Sequence, residues 1–363
     1  MSTFVFTGSY TEAIRLGTGE LVEARGEGIC VFRLNEKGDL TKLSSCDAPN
    51  PSYLALHPNG QNLYTVNELK EYSGLPSAAV SSYELDTKSG TLRLLNRQAT
   101  HGEDACNLAF SSCGRYLMAA NYSGGSLCVF PIGADHSIGR PSCFFQHYGS
   151  GPNPLRQREP HVHQLLTDTS GAHVLAVDLG TDEIKVYGAD WQNGHLTPGP
   201  VIRTAPGLGP RLCVFDESGR RMYLVAELGN AVCVYEYDEQ SGAAKLLQTI
   251  STLPERDGAE SIAACIRLHP NGRLLYASNR GHDSIAVYRV GENGLLTLLH
   301  VKKTGGRIPR DFNITPAGDY LIVGHQESHD LVVFAIDTQS GALHEVTRTA
   351  CGSVTAVHIA DLG

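Results

Sequence analysis

Short apolar runs alternate with polar turns along the whole chain. ALHPNGQNLYTVNE, LAFSSCGRYLMAANY, LLTDTSGAHVLAVDL, CVFDESGRRMYLVAEL, IRLHPNGRLLYASNR and FNITPAGDYLIVGHQ each set a polar turn between two runs rich in β-branched and aromatic residues. Such pairs predict strand–turn–strand units. Their turn glycines are Gly60, Gly114, Gly171, Gly219, Gly272 and Gly318, a recurrence of roughly fifty residues. Each pair is followed by a run like SIAVYRV and another like GLLTLLH, joined by turns such as GENG or DTKSG. Four short strands, a to d, in a unit of that length make a propeller blade.

Six units are complete and a seventh is split. TFVFTGSY (3–10), GICVFRL (28–34) and LTKLSS (40–45) supply strands b, c and d, while SVTAVHIA (353–360) reads as strand a. A lone four-stranded sheet cannot bury both faces, and no Pro/Ser-rich linkers separate the units. The expected fold is therefore all-β: one domain over residues 1–363, a seven-bladed β-propeller of four-stranded antiparallel blades, closed by pairing of its N- and C-terminal strands.

The hairpin geometry also locates chemistry. Arg211 stands eight residues before Gly219 and Glu227 eight after. Antiparallel pairing brings such positions side by side at the open end of the a–b hairpin. With strand a innermost, all these ends ring the mouth of the central channel on one face. The same count before the other glycines gives Ser52, Cys106, His163, Ala264 and Arg310; after them it gives Glu68, Tyr122, Leu179, Arg280 and Gln326. One residue earlier stand Asn279 and His325. Strand-end salt bridges are the structural reading of this ring. The functional one is an anion site carrying an acid/base group. In it Glu227 and His163 are the catalytic candidates, and Arg211, Arg280, Arg310, Asn279, His325 and Glu68 hold substrate.

Net charge is -9, which argues against a phosphate-backbone partner and so against nucleic acid. No apolar run approaches the ~18 residues of a membrane span. Met1–Val5 lacks a basic region followed by an apolar core, so a cytoplasmic protein is expected. The ten cysteines show no C-x-x-C spacing; Cys30, Cys128 and Cys233 recur at one place in the repeat and read as small core residues. His161 and His163 are two apart on a strand, but no third ligand accompanies them, and neither metal nor cofactor is expected. The stretch GTGELVEARGEG (17–28) lacks a strand-to-helix context, so it reads as a b–c loop rather than a phosphate loop. It shares the ring's face with the connections 69–78 and 146–159, which could form a lid. Arg156 and Arg158 in the last of these could reach the site from there, but read first as solvated loop charges. A small anionic substrate is the expected partner, with neither nucleic acid nor membrane, and a monomer is compatible with the sequence, which does not fix the oligomeric state.

At these residues the chain resembles the propeller-type lactonase family, whose members include 6-phosphogluconolactonases and 3-carboxy-cis,cis-muconate lactonizing enzymes. The matching phrases are ANYSGGSLCVF (120–130), EPHVHQ (159–164), DLGTDEIKVY (178–187), SNRGHDSIAVY (278–288) and PRDFNITPAGDYLIVGHQESHDLVVF (309–334). The resemblance implies a seven-bladed propeller with its site at the channel mouth. The family's histidine, glutamate and arginines fall on His163, Glu227, Arg211 and Arg280, and the phrase around Arg310 also matches. It implies hydrolysis of an anionic sugar lactone, 6-phosphogluconolactone foremost. A muconate cycloisomerase using the same site and a non-catalytic binding scaffold are the alternatives. Leu212, Ala226 and Cys265 stand where the family often has histidine, asparagine and aspartate, which bears on the substrate and not on the fold.

Overall fold

The computed structural model describes residues 2–15, 19, 21–254 and 260–363. The loop expected over 17–28 lies partly outside them, at Gly17, Thr18 and Glu20. Seven four-stranded antiparallel sheets follow one another along the chain, with one small two-stranded sheet, Ile14–Arg15 against Leu21–Val22, inside the first blade's b–c connection. Blade 1 is the split one: Val354–Leu362 pairs with Ser2–Ser9, followed by Ile29–Leu34 and Leu40–Cys46. Blades 2 to 7 begin with Tyr53–Leu56, Ala105–Phe110, Val162–Thr167, Pro210–Phe215, Ile262–Leu268 and Pro309–Ile314. The all-β propeller expected from the repeat is thus the fold observed.

The unbroken apolar runs have a packing cause. Strands b and c are covered on both faces by neighbouring blades, so Leu127, Cys128, Val129 and Phe130 are all buried, as are Ile285, Ala286, Val287 and Tyr288. A strand hidden on both faces carries no in–out alternation. Between blades 5 and 6, Val225 and Val234 pack with Ile266, Ala277 and Val287 in one cluster. Each of these valine and isoleucine side chains stabilises by about 1.5–3 kcal/mol on burial. The outer strands, Leu92–Ala99 or Ala243–Ser251, are partly exposed and more polar.

Strand a is innermost, and successive a strands are stitched to one another around the axis by side chains. Leu165 N–H donates to Asn107 Oδ1 at 3.0 Å, Cys213 N–H to Gln164 Oε1 at 2.6 Å, and Val357 N–H to Asp311 Oδ2 at 2.9 Å. The last bond joins blade 7 to the closing strand. Closure is a full ladder, from Ser2 opposite Leu362 to Ser9 opposite Val354.

The a–b ladders share an irregularity. Register shifts fall between Ala105 and Asn107, Val162 and Gln164, Pro210 and Leu212, and Pro309 and Asp311. Each leaves one extra residue: Cys106, His163, Arg211 or Arg310. A bulge of this kind releases a side chain from the pleat and re-aims it. In blade 6 the shift spans Ala263 to Ile266.

Candidate functional site

The bulged residues converge on the channel mouth. They line a cavity of about 180 Å³ together with Glu68, Tyr122, Glu227 and Arg280 from the ends of strands b. Cys106, His163, Arg211 and Arg310 also form the floor, opening to a lower pocket of about 20 Å³, room for about one water molecule. Among the described residues six basic side chains line the cavity: Arg15, Lys70, Arg156, Arg211, Arg280 and Arg310. Only three acidic ones oppose them, Glu68, Asp104 and Glu227. The wall is therefore positive although the molecule is negative.

Local structure explains how Arg211 and Glu227 meet. Gly209 adopts a left-handed φ of 62°, a conformation that suits glycine. The Asp182 carboxylate holds this turn by accepting the N–H groups of Gly207 at 2.7 Å and Gly209 at 2.8 Å. Glu227 N–H then donates to Gly209 O at 2.7 Å, just beyond the end of strand b. Arg211 Nε comes to 2.8 Å from Glu227 Oε2. Its N–H is not aimed at the carboxylate, so the contact is an ion pair rather than a hydrogen bond. Arg211 Nη1 donates instead to Ala264 O at 2.6 Å.

Glu227 is held by two further guanidiniums. Arg280 Nη2 lies 2.6 Å from Oε2, and Arg156 Nη2 donates to Oε1 at 2.6 Å. Burial pushes this carboxyl up, but Arg280, Arg156 and Arg211 outweigh it and hold it well below the usual carboxylate range. Glu227 is therefore a fixed anion and a weak base. Burial, with a smaller push from other guanidiniums, brings Arg280 down to about 10 against the pull of Glu227, so it stays a cation at neutral pH.

Arg156 corrects the reading of it as a solvated charge. Its loop folds on itself: Asn153 Oδ1 accepts the N–H of Leu155 at 3.0 Å and of Arg156 at 3.1 Å, and buried Gln157 donates to Leu179 O at 2.9 Å. This anchoring delivers the guanidinium to Glu227 and to the Tyr122 hydroxyl, at 3.0 Å. Arg158 remains exposed, as expected.

His163 is buried beside the arginines. Burial first, then Arg211 and Arg310, hold its imidazole well below its ordinary pKa despite Glu227. It is a neutral ring at physiological pH, able to accept a proton. Tyr122 meets it edge-on at 5.5 Å while stacking on His161 at 4.3 Å. His161 directs Nδ1 to Tyr122 O at 3.0 Å, so it supports the wall. The described residues contain no group of three or more His, Cys, Asp or Glu side chains arranged to hold a metal ion. Burial pushes the Cys106 thiol far up, which removes it as a thiolate nucleophile.

Glu68 occupies the opposite wall. Tyr10 donates its hydroxyl to Oε1 at 3.0 Å, and Arg310 Nη2 lies 3.6 Å from Oε2 while its guanidinium covers the Tyr10 ring at 5.3 Å. Nearby, Asp104 accepts from Lys70 and from Ser123, each at 2.5 Å.

Two of the residues expected to bind substrate do not line the cavity. Asn279 donates to Thr252 O at 2.9 Å and Ser284 Oγ at 3.2 Å, and His325 bonds Asp330 Oδ1 through Nδ1 at 2.7 Å. Asn121 makes the same pair of bonds in blade 3, to Thr100 O and Ser126 Oγ. These positions stitch the ends of strands b, c and d within a blade. Being one residue before the ring, they point to the other face of the strand. Of the three family-variant positions, Leu212 reaches only the lower pocket; Ala226 and Cys265 are buried in the walls.

Comparison with known proteins adds a family. The sequence profile described as "Lactonase, 7-bladed beta-propeller" matches residues 4–359. A 6-phosphogluconolactonase of Bacillus subtilis is 33% identical over 328 residues, 90% of this chain and 92% of that protein. One from Formosa agariphila is 31% identical over 352 residues, 95% of each. The solved structure of a periplasmic gluconolactonase from Pseudomonas aeruginosa superposes with a TM-score of 0.91 at 31% identity, covering 100% of both chains.

Proposed function

Because the chain belongs to the seven-bladed β-propeller lactonase family, we propose that it hydrolyses a small anionic sugar lactone at the channel mouth, with 6-phosphogluconolactone as the leading substrate. The observation that carries this reading is the excess of guanidinium charge beside a neutral imidazole in one small cavity. Ester hydrolysis needs an activated water, a stabilised oxyanion and a proton for the departing alkoxide. His163 takes the water's proton. Arg211 and Arg280, held in place by Glu227, face the negative charge that develops on the carbonyl oxygen. Arg310 and the rim residues Arg15 and Lys70 supply positive charge for a phosphate or carboxylate, which guanidinium forks bind bidentately. Glu227 thus moves from candidate base to counter-ion. Ten free cysteines, several of them core residues, favour a reducing compartment, and we assign the protein to the cytoplasm.

The test is turnover of 6-phosphogluconolactone, gluconolactone and a carboxylated muconate by wild type and by Arg280→Ala. A phosphorylated lactone is expected to give the highest kcat/KM. Arg280→Ala, which removes a guanidinium facing the developing oxyanion, should lower kcat/KM for both lactones by about 1.5–3 kcal/mol, the range for hydrogen bonds to charged groups. Turnover of muconate without lactone hydrolysis would replace this reading by cycloisomerisation. No turnover of any of the three would leave a binding scaffold.

A further inference from the structure

The cavity holds two buried glutamates in opposite circumstances. Glu227 has guanidinium nitrogens at 2.6–2.8 Å on both oxygens. Glu68 has one hydroxyl on Oε1, and its buried Oε2 accepts no hydrogen bond among the described residues. The nearest cation, Arg310, stands 3.6 Å from Oε2, beyond hydrogen-bond length. Arg310 directs Nη1 to Gln326 Oε1 at 3.4 Å. We propose that Glu68 is the general acid of the lactonase reaction: a carboxylic acid that carries its proton on Oε2 and delivers it to the ring oxygen as the lactone opens. This rests on the lactonase reading above and assigns it a proton donor.

Three physical features support the assignment. Tyr10 is buried and its phenol is kept well above its ordinary pKa, mainly by burial. It therefore remains a donor, and its bond to Oε1 leaves the acid proton to Oε2. Second, Glu68 is nearly enclosed, and burial raises its carboxyl against the pull of Arg310 and the smaller pull of the Ser52 and Tyr10 hydroxyls, with Asp104 adding to the rise. The titratable groups facing it are Arg310 from blade 7, Asp104 with its partner Lys70, and Tyr10 and Cys106, both kept neutral by burial. Third, the environments of Glu68 and His163 differ in the sense the reaction needs. One is a carboxyl that resists ionisation, the other an imidazole that resists protonation, and both line one cavity. Acid and base roles are separated in this way wherever burial and neighbours push two groups apart.

The step balances. His163 takes a proton from water, and the hydroxide oxygen bonds to the lactone carbonyl carbon. The tetrahedral intermediate collapses by breaking the bond from that carbon to the ring oxygen. The electron pair leaves with the oxygen, which takes the proton from Glu68. The new carboxylic acid returns a proton to Glu68 and departs as a carboxylate, while the imidazolium releases its proton to solvent. One proton is produced per lactone.

The experiment measures kcat and KM on 6-phosphogluconolactone across pH for wild type, Glu68→Gln and Tyr10→Phe. Dihydrocoumarin, whose phenoxide leaves without protonation, is assayed in parallel. Glu68→Gln should lower kcat on the sugar lactone ~10²–10⁴-fold. Wild-type kcat should fall as pH rises through the Glu68 pKa, because the acid form is the active one, and this alkaline limb should vanish in the variant. Loss on dihydrocoumarin should be less than a tenth as large. Tyr10→Phe, the milder change, should lower kcat on the sugar lactone ~10-fold, about one hydrogen bond's worth, and it carries the test if Glu68→Gln does not fold. Equal losses on both substrates, or kcat within threefold of wild type, overturn the acid role alone. A wild type inactive on every lactone overturns the lactonase reading and the acid role with it.

Discussion

Both oxygens of Glu227 face guanidiniums, so neutralising this one side chain strands Arg156, Arg211 and Arg280 together in a buried wall. Breaking a buried pair by removing one partner costs about 3–5 kcal/mol, and Glu227→Gln should lose stability on that scale in denaturant titration. Adding Arg156→Ala should restore part of it, a coupling that a double-mutant cycle reads directly. A Glu227→Gln protein with unchanged stability and turnover down ~10²–10⁴-fold would instead make Glu227 the proton carrier. At this scale the sequence was informative wherever the repeat supplied a ruler. Counting from the turn glycines found Glu68, His163, Arg211, Glu227, Arg280 and Arg310, all of which line the cavity. The same ruler failed by one residue at Asn279 and His325, because successive strand residues point to opposite faces. Arg156 had no ruler at all. It lies in a connection between blades that is longer than its counterparts, and the Asn153 turn and the buried Gln157 determine where its guanidinium ends.

Among elements, the strand Val354–Leu362 matters most, since it is strand a of blade 1 and its ladder closes the ring. It also receives blade 7, through the Asp311–Val357 bond, and it buries Val354, Val357 and Ile359 in the last inter-blade core. Deleting 353–363 should expose both the edge of Ser2–Ser9 and that core. The expected result is an aggregating protein, or one whose melting temperature drops by tens of degrees. A soluble truncation with unaltered melting would show that the ladder is dispensable. Blade boundaries were legible because each carries a turn that only a few residue types can make. The bulges were not, because one extra residue at a strand end leaves the apolar pattern untouched. Equal offsets brought Arg211 toward Glu227, yet the ladder ends with Ala226 opposite Pro210, and Arg211 is the residue left over.

Across the whole molecule, every blade reaches the site: blade 1 gives Arg15 from its b–c connection, with Tyr10 bonded to Glu68, and blades 2 to 7 give Glu68, Cys106, His163, Glu227, Arg280 and Arg310. Closure of the ring therefore brings together groups spread over most of the chain, which is why the repeat and the site were readable by one count. The basic cavity sits in a body of net charge -9, and the two have opposite effects on an arriving anion. Far from the mouth the molecule repels it; within a few ångströms the arginines attract it. Dissolved salt distinguishes these ranges, since the screening length is about 10 Å at 0.1 M ionic strength and buried charges are screened much less. The first increments of salt should therefore raise kcat/KM for the phosphorylated lactone, by removing the long-range barrier to encounter. Higher concentrations should lower it as ions compete for the guanidiniums. A rate that only falls with salt, as in enzymes that steer their substrates in electrostatically, would mean that the cavity's field already reaches beyond the acidic surface around it.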